Sequence, residues 1–483
     1  MRICKTISIL LAVILAASAV SCGSASGNDV QDASDTSASD TGTETTIDEL
    51  APPELPDANY DGYEFKILTR IEGWGIYNNE HLVVEEANGE ILNDAIYERN
   101  RRVEDRFNVN ITEIVTTGDI SNEISKTVMA GEDAYDLVVS TYDLRYGTEY
   151  LVDFFTLDYI NLDRPWWNQN YVEAISIKGQ LCSMVNSIMI THMDSVLAMF
   201  FNKSLTENYN LPDIYQLVRD GKWTLPKFFE ITKNVTTDLN GDSAYDDNDL
   251  YAFVGLDGIK RLGSGAELKT VVKDSNDIPT LNFSDAKLLD SISRLRDYAS
   301  QYEVDIYNPR TDRNTGGDGD RAVFRLFLND QAMFYVHGLG SAQMFRDMQS
   351  DFGIIPTPKL DESQETYFIA PDMTKSLVIP ASASDLDRTA IIMEALAYEG
   401  YTYVRPLYYE TMLQSKYLRD EESVEMMDEY IYTNIGFAPR HGSTTLNNTV
   451  DSILIGTSEI ASALAEKQSA IQGEIDKYVE MFE

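Results

Sequence analysis

The chain has 483 residues and a formal net charge of −41, from 79 Asp and Glu against 38 Lys and Arg. A body this acidic repels phosphate backbones and anionic headgroups, which argues against nucleic acid as a partner and against a basic patch as a membrane anchor. Hydrophobic residues make up 43% of the chain and aromatics 10%, enough for a globular body with two separate cores.

Arg2 and Lys5 open the chain, and an apolar run covers 7–20. That run is too short and too poorly flanked for a spanning helix that stays in the membrane. Small residues close it (Ser18, Ala19, Ser21) just before Cys22. The pattern resembles a bacterial lipobox. It implies that 1–21 is a lipoprotein signal peptide and that the thiol of Cys22 is acylated. Several acyl chains on one terminus anchor far better than one, since each buried methylene contributes about 0.8 kcal/mol. Residues 22–57 contain no Lys or Arg and are rich in Gly, Ser, Thr, Asp and Glu. Such a segment buries too little apolar surface to offset its ordering entropy, and it reads as a solvated acidic tether.

The body begins near residue 58. Tyr63, Phe65 and Ile67 alternate, which predicts a first strand over 63–69. Ile91, Leu92, Ala95, Ile96, Val103 and Phe107 recur at helical spacing, so 91–107 reads as an amphipathic helix. A second alternating strand is expected over 109–115, a helix near 120–130, and a nearly continuous apolar strand over 135–141. This order predicts a mainly parallel sheet covered by helices. A second set follows: a hairpin over 175–185 around Lys178-Gly179, a strand over 196–201, and a helix capped by Thr224 with Pro226 in its first turn. Further strands are expected at 250–256 and 332–336, with a helix at 285–301. From 385 the pattern is helical: 385–400, about 406–416, 420–432 and 449–482.

Of the three cysteines, Cys182 alone lies in the body, so it has no intrachain partner there and reads as a small buried hydrophobe. The four histidines (His81, His192, His337, His441) show no zinc spacing. Trp166 and Trp167 read as packing at a lobe junction, and Tyr408 and Tyr409 as core. The sequence "DLNGDSAYDDND" places oxygen ligands at Asp238, Asn240, Asp242, Asp246 and Asp249, with the Ala244 carbonyl between them. These are positions 1, 3, 5, 9 and 12, with 7, of a calcium loop. Ser243 stands where such loops have a turn glycine, and Asp249 where they have Glu. The loop resembles EF-hand-like loops and suggests a structural Ca2+; the alternative is an acidic surface turn.

Six segments in one order carry a wider resemblance. They are "AYDLVVSTYDLRYGTEYLVDFFTLDYI" (134–160), "DSVLAMFFNKSLTENYNLP" (194–212), "GKWTLPKFFEITKNVT" (221–236), "FLNDQAMFYVHG" (327–338), "DFGIIPTPK" (351–359) and "AIIMEALAYE" (390–399). Together they resemble bacterial extracellular solute-binding proteins of ABC sugar importers. The resemblance spans roughly 60–430; Asp330-Gln331 departs from the Gly-Lys pair usual there.

The resemblance implies a two-lobed α/β fold of the periplasmic-binding-protein type, type II, with the lobes joined by crossing hinge segments. One lobe would hold 58–160 and 361–403, the other 161–360 and 404–483. It implies a monomeric, lipid-anchored, extracytoplasmic binding subunit without catalysis. Such a subunit captures a carbohydrate between the lobes and hands it to an ABC permease. Candidate ligand residues are Trp74 and Tyr77 after the first strand, Tyr142 and Asp143 after the buried strand, Asp194 leading into the interlobe strand, and His337 ending a later one. Flat aromatics suit sugar C–H faces, and polar side chains suit hydroxyls. Two other readings stay open: a surface glycoside hydrolase using a carboxylate pair, and an adhesion or scaffold lipoprotein built around the calcium loop.

Overall fold

A computed structural model describes residues 51–70, 82–141, 146–307, 319–345, 348–372, 374–414, 420–438, 441–456 and 458–482. The expectations for Cys22, Trp74, Tyr77, Tyr142 and Asp143 lie outside the described residues. Within 52–483 the first elements are β1 (Tyr63–Arg70), α1 (Ile91–Phe107), β2 (Val109–Thr116), α2 (Ile120–Ala130) and β3 (Leu137–Thr141). The local chemistry explains the boundaries. Asp119 caps α2 by accepting from Asn122 N at 3.0 Å, and Gly131 ends it in the left-handed region.

The second part of the chain adds β4 (Leu197–Asn202), α3 (Leu225–Thr232), β5 (Tyr251–Val254), β6 (Val271–Lys273), β7 (Pro279–Leu281), α4 (Ala286–Gln301) and β8 (Ile306–Tyr307). After these come α5 (Gly319–Leu328), β9 (Ala332–Gly338), β10 (Phe352–Ile355) and β11 (Lys375–Val378). The chain closes with α6 (Leu386–Glu399), α7 (Arg405–Gln414), α8 (Thr444–Leu454) and α9 (Ile460–Val479). Thr224 caps α3, as the sequence suggests, and Asp285 caps α4.

Two sheets organise the body. The first runs β11-β3-β1-β2, with β1 parallel to β2 and β3, and β11 antiparallel to β3. The second runs β10-β4-β9-β5-β8, with β4 antiparallel to both its neighbours and β5 parallel to β8 and β9. A small hairpin, β6-β7, stands apart. β4 is buried along its whole length, which its unbroken apolar sequence Leu-Ala-Met-Phe-Phe requires. The two-lobed α/β architecture expected from the sequence is the one observed.

Three local expectations change. The 175–185 hairpin reduces to a two-residue turn. Lys178 and Gly179 are both left-handed, and Ile177 and Gln180 exchange backbone bonds at 2.9 Å. The arm beyond it pairs with the first sheet instead, through Met184 and Leu377. The stretch 449–482 is two helices, α8 and α9. Trp166, Trp167, Tyr171, Met184 and Met189, placed by the sequence division in the second lobe, pack in the cluster built on the first sheet.

Candidate functional site

Two stretches of chain that pass between the sheets run side by side. The outgoing one, 184–196, leaves the first sheet at Met184 and enters β4; the returning one runs from Ala370 into β11. They pair with each other: Leu197 N donates to Ala370 O at 2.9 Å, and Asp372 N to Ser195 O at 2.8 Å. A hydroxyl bond of 2.8 Å between Ser195 and Thr374 adds a side-chain tie. Strand polarity places the ends of β1 and β3, with the start of β11, at this junction. From the second sheet come the start of β4 and the ends of β5, β8 and β9. In α/β sheets such edges are where ligands are held.

Asp194 and His337 meet this junction from two directions. Leu339 N donates to Val196 O at 2.9 Å, locking the end of β9 to the crossing segment. Gly340 then lies so close to Asp194 that a Cβ there would stand 3.1 Å from its carboxyl carbon. Asp194 accepts from the Tyr408 hydroxyl of α7. His337 stacks on Tyr335 at 5.7 Å between centroids and shares a 2.7 Å bond with Ser341 through Nδ1. Burial, aided by nearby Arg261, pushes its pKa down to about 4, so the ring is neutral at pH 7. Arg261 forms an ion pair of 2.9 Å with Asp372, joining the second lobe to the returning segment.

Three cavities are lined by described residues, and neither Asp194 nor His337 lines them. The smallest, about 90 Å3, sits at the ends of the first sheet between Arg70, Ser140, Lys375 and the start of α2. The largest, about 700 Å3, is a trench between the helix Gln169–Ile175, the β6-β7 hairpin and 433–438. A third, about 200 Å3, is lined by Trp166, Asn168, Asn186, His192, Arg405 and Tyr432 among others. It shares Asn170 and Ile435 with the trench.

Comparison with known proteins decides the fold. No family model and no curated protein matches the chain. Among solved structures it is similar to an ABC substrate-binding protein from Listeria monocytogenes in complex with cycloalternan. The two are 15% identical over 86% of this chain and 100% of that one, with a TM-score of 0.51. It is also similar to M. tuberculosis UspC, 13% identical over 85% of this chain and 100% of that one, again with a TM-score of 0.51. The chain has the fold of ABC substrate-binding proteins. The two crossing stretches connect the lobes, together with the link Gly400–Val404 from α6 to α7.

Several residues of the junction were not singled out from the sequence. Asn186 sits inside the apolar run 181–190, and a lone amide in such a run is the signal that could have found it. Trp166 and Trp167 are buried, as expected of packing residues, yet both also point polar atoms at one partner. Their indole N–H groups donate to the two oxygens of Glu394, each at 2.9 Å. Glu394 is 0% exposed, and burial raises its pKa to about 7 despite these bonds. Gly400 lets the helical segment after α6 approach the crossing stretch, since a Cβ there would lie 2.0 Å from Ser187 O. The segment widens to a π-type turn over Gly400–Val404, just ahead of Arg405.

The 238–249 loop lies away from this junction in sequence and is held by its own backbone. Asp238 accepts from Ser243 N at 2.9 Å and Gly241 N at 2.6 Å; Asp249 accepts from Leu239 N and Asp246 N, each at 2.9 Å. Ser243 adopts φ +67°, the left-handed conformation that the turn glycine of a calcium loop supplies. Among the described residues no group of three or more His, Cys, Asp or Glu side chains is placed to hold a metal ion. Cys182 is buried and its pKa is pushed up to about 12, which leaves it a thiol.

Proposed function

We propose that this protein is the lipid-anchored, extracytoplasmic binding subunit of an ABC importer, and that it captures a carbohydrate between its lobes. The observation that carries the reading is the paired crossing of two sheets with polar side chains gathered at the junction. That arrangement occurs here in the fold of a substrate-binding protein in complex with cycloalternan. Ligand bridging the lobes shifts the population toward a closed form, which a permease subunit can distinguish. Asp194 and His337 supply polar contacts on this reading, and the sequence offers Trp74, Tyr77, Tyr142 and Asp143 as further ligand groups. The body works as a monomer and needs no catalytic group. Thermal stabilisation by candidate sugars, together with the absence of their hydrolysis, tests the reading against a glycoside hydrolase.

Two further parts belong to the proposal. Acylated Cys22 holds the protein to the outer face of the membrane, supported by the apolar run and acidic tether of the sequence. Ca2+ bound to Asp238, Asn240, Asp242, Ala244, Asp246 and Asp249 serves as a structural ion. The ligand spacing and the left-handed Ser243 support this, and each bonded carboxylate oxygen keeps a second lone pair.

A further inference from the structure

We infer that the cavity around Arg405 is a carboxylate subsite, so that the ligand is an acidic sugar of the uronic acid class. This rests on the reading that the protein captures a carbohydrate, and it names which kind.

The guanidinium of Arg405 lies between rings one turn to either side, 4.8 Å from the Tyr401 centroid and 5.6 Å from that of Tyr409. It donates to the Tyr409 hydroxyl at 3.3 Å. No carboxylate among the described residues forms an ion pair with it within 4.0 Å. Asp428 acts on it from further away and is bonded to the same Tyr409 hydroxyl. Aromatic faces offset part of the cost of desolvating a cation, but they leave its planar edge without an anion.

The rest of the lining fits the body of a sugar. Asn186 is 1% exposed; its Oδ1 accepts from Ile188 N at 3.0 Å, while its Nδ2 has no hydrogen-bond partner. A buried amide donor left unpaired is costly unless a ligand oxygen takes it. His192 bonds Met189 O through Nδ1, and burial keeps the ring neutral at pH 7, so Nε2 is an acceptor. Tyr432 adds aromatic surface for a ring face.

The charge pattern selects the anion. One guanidinium supplies one positive charge and a planar fork that matches a carboxylate. No Lys and no second Arg lines the cavity, so a phosphate dianion would be under-compensated in a chain of net charge −41. No Asp or Glu lines it either, so the ammonium of an amino acid would lack a partner.

The test is calorimetric titration of the protein with glucuronic and galacturonic acids and their oligomers, each beside the neutral parent sugar. The expected result is an affinity for the acids higher by about tenfold or more, as a charge-assisted bond supplies. Arg405→Gln should bring acid and neutral sugar to one affinity. If that variant fails to fold, the wild-type comparison still decides. Equal or tighter binding of the neutral parents overturns the inference while the proposed function stands. An acid preference that persists in a folded Arg405→Gln protein overturns the assignment to this cavity. Binding of neither class overturns both readings.

Discussion

The hydroxyl of Tyr408 donates to the carboxylate of Asp194, tying helix α7 to the outgoing crossing segment. Tyr408 is fully buried, and burial beside that carboxylate raises its pKa well above the ordinary value, so it remains a donor. An interlobe connection is thereby clamped to a helix rather than left as a free strand.

Asp194→Ala should therefore destabilise the fold by about 1–3 kcal/mol, because it removes the carboxylate that accepts from the buried Tyr408 hydroxyl. Asp194→Asn keeps an acceptor and should cost less. Urea unfolding of the two variants measures both. An Asp194→Ala protein as stable as wild type would show that the bond does not hold the crossing segment.

Glu394 gives a pH signature. Its folded pKa of about 7 lies above the ordinary value of 4.5, so the folded state binds the extra proton between those values. The contribution of this group to stability is full below pH 4.5 and is lost as pH rises to about 7. Over that window it amounts to roughly 3 kcal/mol. Glu394→Gln should remove this part of the slope. Parallel unfolding curves for wild type and variant across the window would contradict the assignment.

Anchoring is checked by fractionation. Cys22→Ser should move the protein from the membrane to the soluble fraction, since no described helix is long and apolar enough to cross a membrane. Retention of the variant after a salt wash would contradict lipidation at Cys22.

The calcium loop is checked by melting. Wild type should melt higher in Ca2+ than in chelator, and replacing Asp238 and Asp242 with Ala should abolish the difference. Identical melting temperatures for wild type under both conditions would leave the loop as a self-bonded acidic turn.

Elements with strong periodicity or a clear cap were legible in the sequence. The helix over 91–107 has those ends in the structure, and Thr224 caps its helix as its side chain dictates. β10 and β11 lack a strand signal in the sequence strong enough to mark them. Each is only four residues long, and each finds its partner across some 150 residues or more of chain. The hairpin at Lys178-Gly179 shows the same limit. Its turn chemistry was readable, but the pairing of Met184 with Leu377 is a tertiary choice. The site was less legible than the fold for a similar reason. Asp194 and His337 were visible from their places at strand ends. Asn186, Arg405 and Glu394 acquire meaning only when α6 and α7 fold back onto 161–193. Adjacent Trp166 and Trp167 reach one carboxylate because their chain turns there instead of running extended.

The central claim is that a carbohydrate binds at the junction of the lobes, and a thermal-shift titration with a panel of sugars tests it most directly. A cognate sugar at a hundred times its dissociation constant should add about 2.7 kcal/mol to the stability of the folded body, saturably and without being hydrolysed. No stabilisation by any carbohydrate, acidic or neutral, at millimolar concentration would contradict it.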